Sequence, residues 1–223
     1  MEDVATGRAM SPLTVRFAVH RERLRLAAML DELAPAEWEQ PSLCEGWRVR
    51  DVVAHVVLGP RMTISGLLID LARARGDFRR ATLDAARRKA EEPTALLVAE
   101  LRAAADSNRR VPFTSPRDPL AGILVHGQDI AIPLRRSLPM PIADVAVAAS
   151  RMWQNPLYAS RKRLRGLRVE ATDVDWARGR GELVRGPIDA ILLTLAGRGV
   201  GVARMEGPGV ALIAERLDGP CRP

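Results

Sequence analysis

Over roughly the first 155 positions, apolar residues recur at the three- and four-residue steps of an α-helix, and proline punctuates most of the runs. Phe17, Leu24, Ala27, Leu30 and Leu33 mark one face of a helix from about Val15 to Leu33, and Pro35 follows it. A turn-rich stretch, Trp38 to Trp47, leads into a second helix from about Trp47 to Leu58, closed by Gly59-Pro60. Helical patterns then cover roughly 61–75, 79–91 and 94–107. After a polar, proline-containing loop from Arg109 to Asp118, a short helix starts at Pro119 and ends by Pro133. Proline suits a first helical turn because its missing N–H has no partner there. Past Pro141 the pattern is helical again to about Tyr158. The chain is 47% hydrophobic but only 4% aromatic, so its core must rest on Ala, Val and Leu. That favours packed helices over an aromatic-rich sandwich.

The texture then changes. Gly166 to Thr172 alternates like a strand, and Gly179 to Gly186 holds glycine-punctuated turns with room for a second. Pro187 opens a helix through Ala196, and Gly209 to Leu217 reads as a final strand. The expected organisation is α+β: a helical domain over 1–150 and a small α+β domain over 151–223, with residues 1–12 a frayed start.

The net charge of +7 raises the question of nucleic acid. The cations are scattered among acids, as in Arg48-Val49-Arg50-Asp51, and lysine occurs only at Lys89 and Lys162. A specific nucleic-acid binder needs a localised basic footprint, and none is visible. Cys44 and Cys221 form no disulfide framework, which fits free thiols in a reducing compartment. With no signal-peptide pattern and no uninterrupted apolar run of about 20 residues, the expectation is a soluble, cytoplasmic protein without a membrane partner.

The three histidines are the scarce chemistry-bearing residues. His55 shares a helix face with Val52, Val56 and Gly59, and His126 sits in the apolar stretch Ile123 to Ile130; both point inward. A buried imidazole needs a partner, because an unsatisfied polar group costs about 1–3 kcal/mol. A backbone or hydroxyl hydrogen bond meets that need, and so does one shared metal ion in a helical core. His20, between Phe17 and Leu24, has no site-like surroundings. Asp51, four residues before His55, either orients that imidazole or complements the dipole of its helix. Cys44 reads as a small buried filler, because neither a base nor a pKa-lowering environment is visible near it. Gly197 to Gly201 follow a helix rather than a strand, which argues against a dinucleotide fingerprint.

The segment Pro41-Ser42-Leu43-Cys44-Glu45-Gly46-Trp47-Arg48-Val49-Arg50-Asp51-Val52-Val53-Ala54-His55 resembles the signature of the mycothiol-dependent maleylpyruvate isomerase family. Leu124 to Leu134, containing His126, Gln128 and Asp129, is similar to its second motif. Ala171 to Trp176, continued through Gly186-Pro187 to Arg198, resembles the small C-terminal domain of many members. The resemblance implies a DinB-like four-helix bundle with a divalent metal, usually zinc, followed by a small α+β domain. His55 matches the first metal ligand and His126 the last. Gly122, four residues before His126, stands where the family usually has a carboxylate, and Asp129 is the nearest substitute.

The resemblance further implies thiol chemistry: mycothiol, deprotonated by the metal, attacks an electrophilic carbon of a small substrate in transfer or isomerisation. Arg198 is the candidate for gripping a carboxylate, or else it answers a helix C-terminal dipole. The function expected is a metal-dependent, mycothiol-using isomerase or transferase. The alternative is a bundle that has lost catalysis and serves as a small-molecule binding or structural protein. A homodimer is left open.

Overall fold

The computed structural model describes residues 10–109, 111 and 114–217. Cys221, the first nine residues and part of the loop between Arg109 and Asp118 lie outside the described residues. The chain forms two compact units, one of Arg16–Leu138 and one built from Pro139 onward together with the residues up to Val15.

The first unit is helical. Its elements are α1 (Pro12–Asp31), α2 (Pro35–Trp38), α3 (Val49–Leu58), a 3-10 turn at Gly59–Arg61, α4 (Ile64–Arg73), α5 (Phe78–Ala90), α6 (Thr94–Ala103) and α7 (Asp118–Ala131). Helix α3 is the hub, packed on α5, α6 and α7. Val49, Val52, Val53, Ala54 and Val57 are each at most 1% exposed, so little of α3 meets water. A helix apolar on nearly every side must be wrapped by others. Small residues let them approach closely: Ala86 and Ala90 of α5 are fully buried alongside Leu97 and Leu101 of α6.

Helix α1 departs from the expected stripe. Phe17 and Leu24 are exposed, at 65% and 40%, while Ala18, Val19, Leu26, Ala27, Met29 and Leu30 are buried. The reason is that the buried face also carries Glu22 and Arg23, each 4% exposed, which disguises it in the sequence. Glu22 is held by Arg21 and Arg25 at 2.9 and 3.0 Å. Arg23 donates to Ala104 O at 2.6 Å, satisfying a carbonyl at the end of α6. Burial lowers the pKa of its guanidinium.

The second unit contains α8 (Ile142–Gln154), a 3-10 turn (Pro156–Tyr158), α9 (Ser160–Arg163), β1 (Leu167–Ala171), β2 (Ala177–Gly179), β3 (Glu182–Gly186), α10 (Ile188–Leu195), a 3-10 segment (Gly199–Arg204) and α11 (Val210–Leu217). The sheet order is β2-β1-β3, with β1 antiparallel to β2 and parallel to β3. Val169 lies opposite Val184, and both are buried, as the alternation of β1 requires. Helix α10 packs on α8, β1 and the 3-10 segment, with seven of its eight residues buried. Asp173 Oδ1 accepts from Ile188 N at 2.9 Å, so the Asp173 motif caps the helix that follows the sheet.

The segment from Gly209 to Leu217, expected as a strand, is a helix. Ile213 is its buried residue, with Val210, Ala214 and Leu217 half-buried at helical steps from it. The second strand allowed within Gly179 to Gly186 is β3, and the three-residue β2 just before it was not expected. No helix among the described residues is long and apolar enough to cross a membrane.

Gly201 shows how tightly α10 is packed. A Cβ there would lie 2.4 Å from Ala190 O and 2.7 Å from Thr194 Oγ1. Gly201→Ala is therefore expected to cost about 1–3 kcal/mol through overpacking. A urea titration would show a lowered midpoint with unchanged slope; an unmoved midpoint would refute the tight contact.

Candidate functional site

The start of α3 is fixed by a reciprocal cap. Arg48 N donates to Asp51 Oδ2 at 2.9 Å, and the Arg48 guanidinium reaches both Asp51 oxygens at 3.1 and 2.9 Å. The hydrogen bonds that the Arg48 guanidinium donates to Asp51 raise its pKa further. Asp51 thus serves the helix start, and both of its carboxylate oxygens are engaged there.

The loop before α3 is knotted on Ser42. Ser42 N donates to Trp47 O at 2.9 Å, Ser42 Oγ accepts from Cys44 N at 3.1 Å, and Trp47 N donates to Cys44 O at 3.0 Å. Gly46 makes the turn at φ +74°, a conformation that favours glycine. Leu43 N then donates to Asp129 O at 3.0 Å, tying the loop to α7.

On α7, Gly122, His126 and Asp129 lie at positions i, i+4 and i+7 of one face. Asp129 is completely buried, and His126 is 19% exposed. Asp129 Oδ2 is 2.9 Å from His126 Nδ1 and accepts from Cys44 Sγ at 3.2 Å. The imidazole and the carboxylate thus share a hydrogen bond through Nδ1. His55, reaching over from α3, meets the His126 ring edge-on with centroids 5.1 Å apart. Trp47 packs edge-on against His55 at 5.5 Å.

The donor atoms of Cys44, His126 and Asp129 all lie within 4.8 Å of one another, so they could hold a metal ion. His126 and Asp129 belong to this group, and His55, from α3, meets the His126 ring without being one of the three. Cys44, read from sequence as filler, joins them; its carboxylate partner lies 85 residues away, and no local pattern announces it. His20 pairs with the exposed Asp106 at 2.9 Å and is no part of the cluster. In the second unit, Arg198 is 4% exposed, and its Nη1 donates to Ala196 O at 2.8 Å, at the end of α10.

A helical unit with imidazoles, a carboxylate and a thiol gathered between α3 and α7, joined to a small α+β unit, defines a DinB-like protein of the maleylpyruvate isomerase fold. Residues 19–131 match the family described as the mycothiol maleylpyruvate isomerase N-terminal domain, and the chain belongs to that family. No curated protein matches it in sequence. The solved structure of a mycothiol-dependent maleylpyruvate isomerase is similar, at 15% identity and TM-score 0.59 over 85% of this chain and 90% of that one. A histidine-to-alanine mutant of such an enzyme gives 14% identity and TM-score 0.63 over 96% and 97%. At these identities the likeness is one of fold.

The cap makes a sharp prediction for Asp51. Asp51→Ala should lower stability by about 1–2 kcal/mol through the lost cap, measured by thermal or urea unfolding. An unmoved midpoint would refute the cap.

Proposed function

We propose that this chain is a metal-dependent, mycothiol-using isomerase or transferase acting on a small electrophilic substrate. The observation that carries the reading is the pairing of His55 with His126 beside Asp129, inside the segment that matches the family. The donor chemistry fits a divalent ion. Two imidazoles bound to one zinc at about 2.0–2.1 Å have ring centres on the order of 5 Å apart, and these rings are 5.1 Å apart.

His55, His126 and Asp129 are the residues that would hold the ion, zinc by preference for a nitrogen-rich set. When bound, the metal supplies Lewis acidity and a reason for a coordinated thiol to lose its proton. The chain does the rest. Asp129 holds the His126 imidazole in place through its hydrogen bond to Nδ1. Trp47 packs edge-on against His55. Gly122 leaves the same face of α7 bare, and a Cβ there would meet nothing within 4 Å, so an external thiol or substrate has room beside the donors. Arg198 is proposed to grip a carboxylate of substrate or cofactor. The four-helix bundle arrangement and a cytoplasmic location complete the proposal.

Elemental analysis of protein purified without chelator is the direct test. About one equivalent of metal is expected, falling sharply in His55→Ala and His126→Ala, with thiol-dependent turnover of maleylpyruvate lost in parallel. Wild-type protein that stays metal-free even after soaking in zinc would overturn the reading and favour a non-catalytic binding protein.

A further inference from the structure

The proposed ligands come from α3 and α7, yet the tightest cluster of donor atoms includes a residue from neither helix. Cys44 Sγ, the His126 imidazole and an Asp129 oxygen lie mutually within 4.8 Å. The two resolved edges of that triangle are 2.9 and 3.2 Å. Donors around a tetrahedral zinc at about 2.0–2.3 Å sit roughly 3.3–3.8 Å apart, a spacing between the two hydrogen-bonded edges and the 4.8 Å limit of the cluster.

The placement of the thiol is built in. Ser42 ties the loop to itself on both sides of Cys44, and Leu43 N anchors it to the backbone of Asp129. Cys44 is 1% exposed, so its thiol faces the protein interior beside a carboxylate rather than solvent. At Gly122, by contrast, α7 offers no side chain one turn before His126.

We infer that Cys44 is a thiolate ligand of the same divalent ion, giving the centre a sulfur donor alongside imidazole and carboxylate. On coordination the Sγ–H bond breaks, its proton leaves to solvent, and the sulfur electron pair forms the bond to the cation. Asp129 then exchanges a thiol donor for a cationic neighbour and stays compensated in its buried position. A thiolate and a carboxylate neutralise a dication. A sulfur donor also shifts preference toward zinc and away from hard ions such as magnesium. This inference rests on the proposed metal-dependent function.

Cobalt(II) distinguishes the two, because its spectrum reports sulfur directly. The wild-type protein loaded with one equivalent of cobalt(II) should show a near-ultraviolet sulfur-to-cobalt charge-transfer band. Cys44→Ser, which keeps a hydrogen-bond donor for Asp129, should fold normally by circular dichroism, lose the band and bind zinc at least about tenfold more weakly. Stoichiometric cobalt binding without the band in wild type would overturn the thiolate ligand and leave the metal-dependent function standing. Unchanged zinc affinity in Cys44→Ser would also overturn it and reduce Cys44 to a hydrogen-bond partner of Asp129. Wild-type protein that takes up neither cobalt nor zinc would overturn both.

Discussion

Asp129 is a carboxylate buried completely inside a helical unit, and the region around it is organised to make that tolerable. An isolated buried charge is far too costly to keep, so such a group needs donors or cations at close range. Its side chain accepts from a thiol and an imidazole, and its backbone carbonyl accepts from Leu43 N. The loop that carries Cys44 is therefore held to α7 through Asp129, and the same residue holds the imidazole of His126. Removing it would loosen the loop and release the imidazole together, which is how a folding constraint and a chemical one come to share a side chain.

The hub helix imposes the second constraint. With Val52, Val53, Ala54 and Val57 facing neighbours on several sides, α3 has almost no freedom to rotate. The Arg48–Asp51 cap fixes where it begins. Position 55 then falls where its ring meets both His126 and Trp47 edge-on. Hydrophobic packing thus positions a polar side chain, as dense cores do when they allow only one arrangement.

Much of this was legible in the sequence for physical reasons. The helices announced themselves by apolar spacing and proline punctuation, and His126 and Asp129 share a face because three residues separate them. What was hidden has equally physical causes. The buried face of α1 carries Glu22 and Arg23, so hydrophobicity alone chose Phe17 and Leu24, which face water. The last helix is short and nearly one-sided, with a single fully buried residue, so its apolar run mimicked a strand. Cys44 has no local signal, because the loop reaches Asp129 only through the tertiary fold. Asp51 was ambiguous from spacing alone, and its hydrogen bonds to Arg48 decide for the cap.

Two glycines of α7 show how packing and site can be told apart. A Cβ at Gly127 would come within 2.9 Å of Leu138 Cδ2, so the tip of that leucine would have to shift to admit it. A Cβ at Gly122 would meet nothing within 4 Å, so packing gives no reason for glycine there. A glycine inside a helix costs about 1 kcal/mol relative to alanine, and sterics alone would not keep it at position 122. Departures of this kind, where a local rule is broken without a packing return, concentrate where a protein meets a ligand. Gly122 lies one turn before His126 on the face that also carries Asp129. The cost is offset if the vacant volume is used by something outside the chain, which is what a site for an external thiol and a small substrate requires.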